Sequence, residues 1–135
     1  MELVFENLYV SISLDAENSI LADTWLTNSS SMSEEIFKDI MYVWRDIMQK
    51  NQIKYAFTDT LRFDFPLTPE IQDWVVENIS GQLFKNFSFH KHAFIMPAEF
   101  IAGLGIEQLT DENNKKSAEN AYFSDIASAR KWLLS

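Results

Sequence analysis

Cysteine is absent from the 135 residues, which excludes disulfides, thiolate nucleophiles and zinc sites built on cysteine. Glycine occurs three times, too sparsely for the glycine-rich loops that cradle dinucleotides or nucleotide phosphates. No Gly-x-Ser-x-Gly segment is present, so the common hydrolase signature is missing as well. Basic residues are few: 11 Lys and Arg against 20 Asp and Glu leave a net charge of −9. That sign opposes nucleic-acid binding and electrostatic docking on anionic lipid. No stretch approaches the roughly 20 apolar residues that span a bilayer. Met1 to Asn7 carries neither a basic region nor a long apolar run, so no signal peptide is visible and a cytoplasmic location is expected.

What is abundant is apolar and aromatic. The chain is 47% hydrophobic and 14% aromatic, enough to offset its folding entropy in one domain spanning residues 1–135. The rings fill a core, or some of them line a groove for a partner.

Periodicity orders the chain. Leu8, Val10, Ile12 and Leu14 share one face of a strand, and Ile20 to Thr27 follows after the polar turn Asp15 to Ser19, giving a β-hairpin. Ile36, Phe37, Ile40, Met41, Val43, Trp44, Ile47 and Met48 fall at helical spacing, with Ser31 or Ser33 as the cap. Tyr55 to Leu61 reads as a strand. Thr68 then caps a helix with Pro69 in its first turn, running through Ile71, Trp74, Val75, Ile79 and Leu83, with Gly81 weakening its end. Ala93 to Met96 is apolar on both faces, as in the middle of a parallel sheet, and Pro97 stops it. Residues 98–116 read as one or two short helices broken near Gly103 and Gly105, ending in the solvated run Asp111 to Lys116. Ala121 to Phe123 is a brief strand, and Ser124 or Asp125 caps a last helix through Ile126, Ala129, Trp132 and Leu133. The expected fold is α/β: a mixed, mostly parallel sheet of about five strands in the order β-β-α-β-α-β-α-β-α.

Open α/β sheets place ligands outside the carboxyl ends of their strands, which selects Asp59 and Thr60, then Arg62 and Asp64, and Glu99 beyond the next strand. Paired carboxylates beside an arginine can move protons or hold a metal. The plainer reading is that Asp59 caps a loop and Arg62 pairs with it. His90 and His92, the only histidines, lack a third ligand in register and read as a surface strand entry. Neither metal nor cofactor is expected.

Tyr122-Phe123-Ser124-Asp125-x-x-x-Ala129-x-x-Trp132-Leu133 resembles the ending of bacterial SpoIIAA-like proteins, relatives of the STAS domains. Asp59-Thr60, Phe63-Asp64-Phe65 and Thr68-Pro69-Glu70-Ile71-Gln72-x-Trp74 resemble the variant in Bacteroidetes-type members. The resemblance covers nearly the whole chain and carries no catalytic motif. It implies a non-enzymatic regulatory or protein-interaction module with an unknown protein partner. It also implies, by kinship with lipid-carrying CRAL-TRIO domains, the alternative of a small apolar ligand in an aromatic-lined pocket. Antagonist members of the family are phosphorylated on a serine of the motif that caps the helix after the third strand, and Thr68 is the hydroxyl in the matching position. Thr68-Pro69-Glu70 replaces the family's Ser-Gly there, and capping is the direct reading of the residue. An enzyme using Asp59, Arg62, Asp64 or Glu99 is the third reading. Open strand edges and the aromatic excess leave room for a homodimer.

Overall fold

The computed structural model describes residues 1–103 and 118–135. Their order is β1 (Glu2–Glu6), β2 (Val10–Asp15), β3 (Ile20–Trp25), a 3₁₀ turn (Thr27–Ser31), α1 (Glu34–Asn51), β4 (Tyr55–Asp59), α2 (Pro69–Val75), a π turn (Val76–Ser80), α3 (Gly81–Asn86), β5 (Lys91–Ile95), α4 (Ala98–Gly103), β6 (Glu119–Phe123) and α5 (Ile126–Leu133). The strands form one sheet in sequence order. β1 to β3 pair antiparallel, and β3 to β6 pair parallel.

The sheet therefore has six strands rather than about five. The strand missed in the sequence is β1. Its pairing slips between Leu3 and Phe5, a bulge that puts an extra residue opposite Ile12 and Ser13 and destroys the period of two. The second short helix read near Gly105, and the run Asp111 to Lys116, lie outside the described residues.

Each face of the sheet has its own core. Leu21, Trp25 and Ala56 face Phe37, Ile40, Trp44 and Met48 of α1, together with Ile71, Ile79 and Leu83 of the second helical run. Ile20, Phe57, Ala93 and Ile95 face Ala129 and Leu133 of α5. Burying a side chain of this size contributes roughly 1.5–3 kcal/mol, so these stripes fix which way each strand turns. β5 lies between β4 and β6, buries Ala93 and Ile95 on the α5 side and half-buries His92 and Phe94 on the other.

Local chemistry sets the ends of the helices. Ser33, not Ser31, caps α1: its side chain accepts from the Ile36 N–H at 3.1 Å. Thr68 accepts from Ile71 at 3.3 Å, and Asp125 accepts from Ser128 at 2.8 Å. The run after Thr68 continues through Gly81, whose backbone is helical, and what interrupts it is the π turn just before. With so few glycines, the left-handed positions fall on Ser19 (φ 57°) in the β2–β3 turn and Gln52 (φ 50°) at the end of α1.

Candidate functional site

Parallel pairing lines up the carboxyl ends of β4, β5 and β6. Asp59 lies opposite Ile95, and Ile95 opposite Phe123. The backbone continues the line, with Thr60 N–H donating to the Ile95 carbonyl at 3.0 Å and Met96 N–H to the Phe123 carbonyl at 2.9 Å. The segments leaving these ends expose three large apolar residues: Leu61 at 50%, Phe100 at 60% and Ile126 at 58%. Leu67 is exposed further along the loop after β4.

The residues selected from the sequence lie along this rim, and several of them are tied locally. Asp59 accepts from the Leu61 N–H at 3.0 Å, so it does cap the loop. Thr60 Oγ1 donates to the Ile95 carbonyl at 2.7 Å. The Asp64 N–H donates to the buried Ser29 Oγ at 2.9 Å, pinning the loop to the 3₁₀ turn. Phe63 packs edge-on against Trp25 (5.2 Å between centroids) and Phe65 stacks on Phe37 (5.0 Å), which turns Arg62 and Asp64 outward. Thr68 is engaged as a cap, and Glu99 is exposed in the first turn of α4. Among the described residues no ion pair joins Arg62 to Asp59, Asp64 or Glu99, and no three acidic or imidazole groups gather as a metal site.

A second polar constellation lies beneath α1. Asp23 is buried at 4% exposure and shares the face of Leu21 and Trp25. Its Oδ2 accepts from Trp25 Nε1 at 2.9 Å, and its Oδ1 accepts from Trp44 Nε1 at 3.3 Å and from Thr58 Oγ1 at 2.9 Å. Thr58 Oγ1 is in turn 2.7 Å from His92 Nε2. β3, β4 and β5 thus contribute one residue each to an unbroken chain. Burial pushes the Asp23 carboxyl up to about 7 against the pull of its donors, Thr58 first among them. Burial likewise lowers His92 to about 3. The imidazole stacks on Phe94 (4.0 Å) and Trp44 (5.8 Å) and meets Phe89 at an angle (5.7 Å). His92 is therefore part of the sheet's covered face rather than a surface strand entry.

Sequence reading passed over Asp23 and placed His92 in a surface strand entry. The signal was there in the period of two: Asp23 falls on the apolar side of the strand between Leu21 and Trp25. A carboxylate in that position is either paired or misplaced.

A shallow open depression of about 220 Å³ lies between β1 and α1, lined by Phe5, Asn7, Ile36, Asp39, Ile40 and Val43. It falls below the roughly 300–1,000 Å³ usual for small-molecule sites.

Comparison with protein-family models, curated proteins and solved structures finds no match for this chain.

Proposed function

We propose that the chain is a non-enzymatic protein-interaction module of the SpoIIAA-like type, and that its partner docks on the rim at the carboxyl ends of β4 to β6. The observation that carries the reading is the exposure of Leu61, Phe100 and Ile126 on the segments leaving three adjacent parallel strands. Contiguous exposed apolar surface marks interaction sites, and the parallel register sets these three residues on neighbouring segments. Among the described residues the rim also bears Asp59, Asp64, Glu99 and Asp125 against the one cation Arg62, within a chain of net charge −9. A cationic, amphipathic segment of a protein is the complementary partner.

The carboxylates of the rim support binding over acid–base chemistry, because Asp59 and Asp125 serve backbone N–H groups. The test compares three forms of the chain immobilised in parallel: wild type, Phe100→Glu/Ile126→Glu, and Leu3→Glu at the far edge of the sheet. The reading requires a partner held by wild type and Leu3→Glu, lost by at least tenfold in the rim variant and weakened by added salt. Equal retention by all three forms would refute it.

A further inference from the structure

We propose that Asp23, Thr58 and His92 form a proton-conducting chain, through which protonation of the buried aspartate is expressed as a change of tautomer at His92.

The argument is one of donors and acceptors. Trp25 and Trp44 carry indole N–H groups that can only donate, so they cannot take a proton from Asp23. Thr58 has a single hydroxyl proton, and with Asp23 ionised that proton points to Oδ1. The 2.7 Å contact to His92 then requires Nε2 to carry the hydrogen and donate to Thr58 Oγ1. Let one solvent proton arrive at Nδ1 of the partly covered His92. The Nε2 proton passes to Thr58 Oγ1, and the Thr58 proton passes to Asp23 Oδ1. All three groups end neutral: Asp23 donates to Thr58, Thr58 donates to Nε2, and His92 is the Nδ1–H tautomer. One proton has entered, and no covalent bond has changed apart from those to hydrogen.

The surroundings leave this path undisturbed. α1 meets Asp23 with Trp44, among the apolar Phe37, Ile40 and Met48. The second helical run contributes Ile71, Ile79 and Leu83 to the same cluster, and β2 places Ile12 opposite Asp23. Within the hydrogen-bonded set of Asp23, Trp25, Trp44, Thr58 and His92, the imidazole is the one other titratable group. Of the three cations of α1, Lys38 pairs with Glu34 and lies over Trp74, Arg45 pairs with Asp46 and lies over Tyr42, and Lys50 is exposed in the last turn. The elevated Asp23 and depressed His92 values agree with a proton that settles on the aspartate while the imidazole stays neutral. Because Trp44 donates to the same Oδ1 that is protonated, the seat of α1 on the sheet is linked to the proton as well.

The test is ¹⁵N NMR of histidine-labelled protein carrying His90→Gln, so that His92 is the only imidazole. Two-bond ¹H–¹⁵N correlations between pH 5 and 9 distinguish the two neutral tautomers from imidazolium. We expect Nε2–H at pH 9 and Nδ1–H at pH 5, with a midpoint near 7 and an excess of about 100-fold two units below it. The Trp44 indole N–H should shift with the same midpoint. Thr58→Val should leave His92 in one tautomer throughout, and Thr58→Ser should restore the exchange. A single tautomer across the range in the parent protein would overturn the proposal, as would imidazolium forming within it or exchange persisting in Thr58→Val. Should Thr58→Val fail to fold, the parent series decides alone.

Discussion

Asp23 and His92 pull the pH dependence of stability in opposite directions. Asp23 is raised from 3.8 to about 7, so between those values the folded state holds a proton the unfolded chain has released. Its contribution is full below about 4 and is lost as the pH rises through 7. His92 is lowered from 6.5 to about 3, so its contribution is full above 6.5 and is lost as the pH falls through 3. Between pH 4 and 6.5 the two slopes cancel, and the pair leaves the wild type flat there. Replacing His92 by Phe, which suits a slot between Trp44 and Phe94, removes one slope. Urea unfolding of His92→Phe should then show stability declining as the pH rises from 4 to 7, and a flat profile would contradict the assignment. Asp15 adds acid sensitivity. Its hydrogen bond from Asn18, with help from Arg130, holds it at about 2, and the benefit disappears as the pH falls from 3.8 towards that value. None of these values was readable in the chain, because each depends on neighbours 34 or more residues away in sequence or on a turn geometry.

Helices and turns were the most legible scale. The stripe from Ile36 to Met48 and the cap at Thr68 follow from spacing and side-chain chemistry, and the structure has them; of Ser124 and Asp125, both open in the sequence, Asp125 is the cap. Ser33 and Ser31 were equivalent on paper; the backbone path out of the 3₁₀ turn selects Ser33, while Ser31 donates to the Asn28 carbonyl. Replacing Ser33 by Ala should cost about 1 kcal/mol in thermal or urea melts, with a similar loss for Thr68→Ala. The π turn could not be read from periodicity, since Val75, Ile79 and Leu83 keep a spacing of four through it. Left-handed Gln52 suggests an improvement. Its side chain carries a Cβ where glycine is unstrained, so Gln52→Gly should raise stability by about 0.5–1 kcal/mol. A loss in the same melt would mean the C-terminus of α1 is held some other way.

For the whole molecule, alternation of strands and helices was enough to give a mixed, mostly parallel α/β sheet, and the two-sided apolar run placed β5 inside it. β1 escaped because the bulge at Leu3–Phe5 removes the alternation by which strands are recognised. That same bulge, with Glu2 and Glu6 at the strand's ends, guards the open edge against pairing with other chains. The rim at the other side of the fold has no such guard, and its apolar residues were invisible as a group because 65 positions of sequence separate Leu61 from Ile126. Only the parallel register brings them to one end. Of the residues selected beforehand, Asp59, Thr60, Arg62, Asp64 and Glu99 do fall there, but as isolated groups rather than a reacting set. The central claim is that this rim is where a protein partner sits. The most direct measurement places a photo-crosslinking benzoylphenylalanine at position 100 in one form and at position 8 in another, irradiated in the cells that make the protein. The account predicts one adduct of discrete mass from position 100, suppressed by Ile126→Glu, and none from position 8. No adduct at 100, or the same adduct from both positions, would contradict it.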